Sequence, residues 1–448
     1  LMIMLTFFAT AQTKQVTTSA NKELLLSTKS LVTNEKANAV VSIMHSTTYQ
    51  SIKGWGYALT GGSAKLLSQL PKVQRTAVLK DLFTKEGIGV NYLRISIGAS
   101  DLDEKVFSYD DLAVGQTDPT LARFNLGNDT LYLIPILKEI IALQPGIQIM
   151  ASPWSPPVWM KDNKNSMGGH LLPEYYNVYA NYFVKYLRAM KKHGIVVNAI
   201  TIQNEPEHGG NNPSLLMTAE EQNEFIKTSL GPLFKNENIK TEIVIYDHNA
   251  DHPNYPISIL NDAATKPYVS ASAFHLYLGE EKALSTLHEK HPDKPIYFTE
   301  QWTGAKGDFD GDLMWHWEHI VMGTIKNWSS VVLEWNLAAD AMYLPHTPGG
   351  CTECKGALTI ENGIVRKNVS YYIIGQFSSL MQKGAKRVAS TETDPNVNSL
   401  ICKMSDGSFF VMLLNKTEEK VIRVQLANQS INMKVPAKAA TSFIWKTK

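Results

Sequence analysis

Cysteine is scarce in this chain, three residues in 448. That is too few for a fold stapled by disulfides, and a chain this long buries enough core not to need them. Charge imbalance is absent as well. Lys and Arg number 43 against 42 Asp and Glu, a formal net charge of +1, which excludes the basic stripe of a nucleic-acid or anionic-membrane binder. Beyond residue 11 no apolar run approaches the ~20 residues of a membrane span, and there are no internal repeats or low-complexity tracts. Metal-ligand spacing is missing too. The Cys351-x-x-Cys354 pair has no second pair, Cys402 stands alone, and no spaced His/Asp cluster completes a set. Neither a metal nor another cofactor is expected. Cys351 and Cys354, in a Gly- and Lys-flanked loop, read as a local disulfide or as two free thiols. A catalytic thiol lacks a histidine in a partner motif.

What is present is alternation. Residues 1–11 form a short apolar run ending Ala9-Thr10-Ala11, which reads as a secretory signal without its basic leader and predicts a secreted or periplasmic protein. Residues 12–36 are polar and unpatterned and predict a flexible leader. Residues 39–44 and 47–52 read as β segments. From residue 52 to 381, short β-rich runs alternate with helical spacing. Ile52–Thr60, Val90–Ile97, Ile147–Trp154, Val197–Gln203, Thr241–Tyr246, Ala271–Tyr277, Ile296–Thr299 and Val331–Trp335 are the strands, and residues 63–83, 129–143 and 174–193 are the first helices. Eight such pairs predict an α/β fold, a (β/α)8 TIM barrel. Beyond residue 381 only short β runs follow, separated by Asp406-Gly407, Asn428 and Pro436. They predict an appended antiparallel β-sandwich built from both termini, residues 37–51 plus 382–448.

Two of the predicted strands end in a glutamate. Thr201-Ile-Gln-Asn-Glu205-Pro206 closes the fourth strand, where proline cannot continue a ladder, and Ile296-Tyr-Phe-Thr-Glu300 closes the seventh. Both strand ends lie on the face of a parallel barrel where chemistry is done. Paired carboxylates flanking one bond are what glycoside hydrolysis needs: an acid for the leaving oxygen and an anion for the oxocarbenium-like carbon. Trp55, Trp154, Trp302 and Trp335 are expected at the same ends, to stack on sugar faces. Arg94, Asp101, Asn204, His275 and Tyr277 are expected to meet hydroxyls. Any one of these alone reads by default as a satisfied core residue; nine at one end of a barrel point to a saccharide.

Five separated stretches, Gly54–Thr60, Ala151–Trp159, Thr201–Pro206, Phe298–Glu300 and Trp335–Ala338, resemble glycoside hydrolase family 30. The likeness runs from about Tyr49 to the C-terminus. It implies a TIM barrel with a β-sandwich and retention of configuration, with Glu205 as acid/base and Glu300 as nucleophile. It further implies that Asn204 binds a 2-hydroxyl, that Tyr277 bonds the nucleophile, and that Arg94, Asp101, Trp154 and Trp335 line the glucosyl subsite. Leu276, where glucosylceramidases carry tryptophan, and the Gly349-Gly350-Cys351-x-x-Cys354-x-Gly356 loop favour a β-1,6-glucan as substrate over glucosylceramide. The resemblance therefore implies an endo-β-1,6-glucanase, with glucosylceramidase as the alternative within the family. A sugar-binding module that has lost catalysis and a metal-dependent barrel hydrolase using His208 and His275 are the alternatives of other classes. The expected partner is a β-glucan or β-glucoside. The sequence carries no signal for oligomeric state.

Overall fold

Gly54 and Gly56 open the barrel because nothing larger fits there. In the computed structural model, which describes residues 14–446, a Cβ on Gly54 would lie 2.5 Å from the Tyr92 ring and one on Gly56 2.0 Å from the Tyr92 carbonyl oxygen. Eight parallel strands follow in sequential order: β1 Gly54–Ala58, β2 Tyr92–Ile97, β3 Gln148–Pro153, β4 Ala199–Thr201, β5 Glu242–Ala250, β6 Ala271–Gly279, β7 Ile296–Glu300 and β8 Ser329–Asn336. Pairing of β8 with β1 closes the ring. Tyr92, Met150, Ala199, Val244, Ala271, Tyr297, Val331 and Leu333 fill its interior, mixing large and small side chains as a packed barrel requires.

Helices between the strands bury one face each. Tyr176–Lys192 turns Tyr179, Tyr182, Phe183, Tyr186 and Met190 inward at helical spacing. The helix expected over 63–83 arrives as two, Gly61–Gln69 and Lys72–Phe83, because Pro71 between them has no N–H for the first ladder to continue. Among the described residues no helix is long and apolar enough to cross a membrane.

Residues 52–374 form one compact unit, and the segments up to Ser51 and from Gly375 onward form the other. The second unit is an eight-stranded sheet. Its order is Gln15–Ser19, Ala439–Trp445, Phe409–Asn415, Val397–Lys403, Lys386–Glu392, Ala39–Ser51, Lys420–Leu426 and Gln429–Val435. Val41, Val411, Val424, Met433 and Phe443, from five of its strands including the Gln429–Val435 edge, share one core. Pairing is antiparallel except between Ala39–Ser51 and Lys420–Leu426, which run parallel. At the start of this unit's second segment, Gln376 Nε2 donates to the Val16 carbonyl at 2.9 Å and Phe377 packs edge-on against Phe410.

The flexible leader expected over 12–36 is corrected here. Gln15–Ser19 is a strand, wholly buried and paired with residues 439–443. Its threonines are β-branched and fit a pleated surface despite their polarity, and Thr17 and Thr441 hydroxyls meet at 3.0 Å. The two segments expected at 39–44 and 47–52 are one strand, Ala39–Ser51, with register shifts against Lys386–Glu392. The apolar run 1–11 lies outside the described residues.

Candidate active site

The centre of the barrel mouth is an aspartate. Strand β5 bulges between Tyr246 and His248, with Tyr246 at φ 72° and Asp247 at φ 66°. Such a bulge re-aims a side chain. Asp247 becomes fully buried and takes Thr299 Oγ1 at 2.7 Å, Thr201 Oγ1 at 2.8 Å, Arg94 Nη2 at 2.8 Å, His275 Nε2 at 3.1 Å and Ser152 Oγ at 3.2 Å. Those partners come from β7, β4, β2, β6 and β3, so one carboxylate ties six strands. Burial pushes its pKa up, but the Arg94 charge and the His275 bond hold it well below the ordinary carboxylate range.

Both glutamates expected from the sequence meet above this hub. Glu205, four residues past the short β4, sits at φ 47° and donates its N–H to the Asp247 carbonyl at 3.0 Å. A left-handed glutamate is a strained position that its surroundings must hold. Arg94 Nη1 bonds Glu300 Oε2 at 2.5 Å and Tyr277 Oη donates to Glu300 Oε1 at 3.0 Å. His275 Nδ1 lies 3.3 Å from Glu205 Oε1 and 3.8 Å from Glu300 Oε1. One ligand-type atom each of Glu205, His275 and Glu300 falls within 4.8 Å of the others, which puts the two carboxylates at close range. A divalent ion could bridge that spacing, but Arg94 and the proton held by His275 already supply positive charge there.

The electrostatics follow from this crowding. Burial alone would pull His275 down; the Glu300 charge, with hydrogen bonds to Asp247 and Glu205, carries it up to about 9. Glu205 is pushed up by burial and pulled back below the usual range by the His275 bond and charge. Glu300 is raised, by burial first and by the neighbouring Glu205 and Asp247 charges, against the pull of His275 and Arg94. Two buried carboxylates this close titrate as a pair. Asp101, buried beside them, is pushed up to about 7 by desolvation and then by the Glu300 charge, against the Cys351 N–H that reaches its Oδ2 at 3.3 Å.

His275 gives a measurable consequence. Its folded pKa lies above the ordinary 6.5, so its contribution to stability is complete below about 6.5 and is lost as pH rises through about 9. Asp101 is half-ionised at about 7 and finishes titrating about one unit higher, while Lys161, lowered to about 7 by burial, adds stability as pH rises above that in either protein. Between about pH 8 and 10 the Tm of the wild type should therefore fall relative to that of His275→Gln. Parallel profiles would remove the imidazolium from the account.

Of the remaining expected residues, Trp154, Trp335, Asn204, Arg94 and His275 are buried and Trp302 is half-buried. Trp154 and Trp335 stack on each other at 5.4 Å and 28°, with the Arg94 guanidinium 4.9 Å from the first ring and 5.7 Å from the second. Ala58, Leu102 and Cys354 pack with them, and Trp302 and Cys351 lie against that cluster. Cys351 and Cys354 are disulfide-bonded. Asn204 Oδ1 accepts from Arg94 Nη2 at 2.6 Å, leaving its N–H2 to donate. Arg94 and His275, expected to meet hydroxyls, are both without exposed side-chain surface. Their bonding groups go to protein partners, so they position and charge the carboxylates. Trp55 is also misplaced by the sequence reading. It is the second residue of β1, and its indole N–H donates to the Gly89 carbonyl ahead of β2, at the opposite end of the barrel.

Sequence reasoning missed Asp247 and Asn211. Asp247-His248-Asn249 extends β5 past the apolar run and, like the two glutamates, follows a strand's apolar part; that was the available signal. Asn211 Nδ2 reaches Glu205 Oε2 at 3.1 Å from the loop after β4. That loop is held by a buried lysine, Lys161, whose ammonium bonds the Ser214 carbonyl at 2.7 Å, Ser155 Oγ at 3.1 Å and the Ser166 carbonyl at 3.2 Å. Nothing in the periodicity of the sequence marks it.

A closed parallel barrel with two close carboxylates after β4 and β7, beside a tryptophan platform, has the layout of a glycoside hydrolase. The chain belongs to glycosyl hydrolase family 30, whose TIM-barrel domain profile matches residues 52–381. An endo-1,6-beta-D-glucanase of Neurospora crassa is 39% identical over 386 residues, 82% of this chain and 79% of that one. The lysosomal acid glucosylceramidase of Mus musculus is 28% identical over 400 residues, 83% of this chain and 76% of that one. Among solved structures, an endo-beta1,6-glucanase superposes with a TM-score of 0.91 at 34% identity, covering 97% of this chain and all of that one.

Proposed function

We propose that this chain is a retaining endo-β-1,6-glucanase in which Glu300 is the nucleophile and Glu205 the acid/base. The observation that carries the reading is the close approach of the two carboxylates, within 4.8 Å atom to atom. Retaining enzymes hold theirs ~5–5.5 Å apart, whereas inverting ones leave ~6.5–9.5 Å for a water. Relatives named for β-1,6-glucan support the linkage.

In the first step Glu300 attacks the anomeric carbon as the glycosidic C–O bond breaks, and Glu205 gives its proton to the departing oxygen. In the second, Glu205 takes a proton from water, whose oxygen displaces Glu300 and restores the original configuration. The charges of the free site favour an ionised Glu205, which leaves the acid's proton to be accounted for. His275 holds it. The imidazolium Nδ1 and Glu205 Oε1 are 3.3 Å apart, so the proton reaches the carboxylate along one hydrogen bond when sugar dries the pocket. Arg94 and Tyr277 keep two donors on Glu300 throughout. Asn204, aimed from the residue before Glu205, is placed to meet a 2-hydroxyl. The disulfide and the apolar residues 1–11 favour an oxidising compartment outside the cytoplasm.

A product-size time course on β-1,6-glucan, run beside glucosylceramide in detergent, tests the substrate. Oligosaccharides should appear before glucose from the glucan, and proton NMR of fresh product should show the β-anomer first. Glucose released from the lipid alone would transfer the protein to the glucosylceramidases. The α-anomer first would end the double-displacement reading.

A further inference from the structure

Outside the mouth, a cavity of ≈ 760 Å³ lies between the helix after β6, Lys282–Lys290, and the helical run 309–326 that leads into β8. Its upper end is formed by the β6 residues Leu276, Tyr277 and Gly279. It therefore starts behind the strand whose Tyr277 hydroxyl touches Glu300. The volume falls within the ~300–1,000 Å³ that holds a small-molecule ligand.

Trp315 lines it and is 39% exposed. The ring is braced. His316 meets it edge-on at 5.2 Å and is fixed by Glu334 Oε1 at 2.7 Å, and His319 lies 5.2 Å away and is fixed by Glu281 Oε1 at 3.3 Å. An exposed indole whose two flanking imidazoles are each held by a carboxylate is a fixed platform. Around it Glu280, Glu281 and Glu289 outnumber Lys282. That balance repels anions and offers acceptors for paired hydroxyls, while the indole face suits the C–H side of a pyranose. The ligand chemistry this lining fits is a neutral saccharide.

The barrel order says which part of a chain arrives there. Trp335 on β8 and Tyr277 on β6 flank Glu300 on β7 from opposite sides. If the sugar that Glu300 attacks lies against Trp335 on β8 and Trp154 just past β3, the leaving portion, protonated from the loop after β4, extends toward β5 and β6. We propose that the groove past Tyr277, with Trp315 as its stacking face, binds the leaving-group end of a long glucan several units from the cleaved bond. The inference rests on the assignment of Glu205 and Glu300 made above.

The test is a split between long and short substrates. Trp315→Ala should raise KM for polymeric β-1,6-glucan roughly three- to ten-fold, the scale of one lost aromatic stack. It should leave kcat/KM on a short aryl β-gentiobioside within a factor of two, which also reports an intact fold. Trp315→Phe should recover most of the polymer KM. Affinity electrophoresis through gels containing the glucan supplies a second reading free of turnover, with Glu300→Gln retarded more than Glu300→Gln/Trp315→Ala. Equal polymer KM and equal retardation with and without the indole would overturn the groove as a glucan site, whereas a wild type that cleaves no glucan overturns the function reading instead.

Discussion

Glu300→Gln is expected to lower kcat on β-1,6-glucan by on the order of 10⁴-fold or more, since the amide cannot form the covalent intermediate and the alternative is direct attack by water. Stability should change far less, because Arg94 keeps Asp247 at 2.8 Å and Asn204 at 2.6 Å when Glu300 is neutral. Glu205→Ala should cost ~10²–10⁴-fold on the same substrate, the usual range for a lost general acid. On an aryl glucoside with an acidic phenol the first step no longer needs protonation. The glycosyl-enzyme should then accumulate, and azide should restore turnover. The configuration of the glycosyl azide separates the two roles. Azide that displaces Glu300 from a covalent intermediate gives the β-product, whereas azide that enters the space left by Glu300→Ala gives the α-product. An α-azide from Glu205→Ala would show that the roles are reversed.

Arg94→Leu carries the second large effect, and it falls on the fold as much as on the chemistry. The guanidinium has no exposed surface and bonds Glu300, Asn204, Asp247 and Ser152 from three of its nitrogens. Removing one partner of a buried ion pair costs about 3–5 kcal/mol, much of it from the charge left behind. Here Asp247 and Glu300 are both left. Urea denaturation should show a loss of that size, and the surviving protein should have little activity. Arg94→Lys should recover little, since an ammonium cannot span four acceptors with the fixed fork of a guanidinium. A variant with unchanged midpoint would mean that the hub is not what holds the strand ends together.

The parts of this molecule legible in the sequence are those that repeat with a short period or sit at a marked boundary. Strand and helix alternate over 52–381, and Glu205 and Glu300 each follow an apolar run, so their shared face could be counted. Asp247 escaped because a bulge carries β5 four residues beyond Tyr246, to Ala250. The spacing of Arg94 was visible, but its burial was not: periodicity says that a strand residue faces inward, not whether carboxylates have been placed there to receive it. Gln15–Ser19 escaped for another reason. Five mostly polar residues have no pattern of their own, and the strand they pair with lies more than 400 positions away, as the Thr17–Thr441 contact shows. The Cys351–Cys354 loop needed the fold before its packing against the tryptophan pair could be seen.

The pairing of Gln15–Ser19 with Ala439–Trp445 has a bearing on synthesis. A ribosome releases the N-terminal strands first, and Ala439–Trp445, the partner of Gln15–Ser19, emerges some on the order of 20–80 s later at ordinary elongation rates. Ala39–Ser51 waits nearly as long, since both its neighbours, Lys386–Glu392 and Lys420–Leu426, are also made after the whole barrel. Thirteen residues of open strand edge are a template for mispairing during that interval. A nascent chain that stalls before residue 386 therefore carries every barrel strand together with β segments whose partners have not been made.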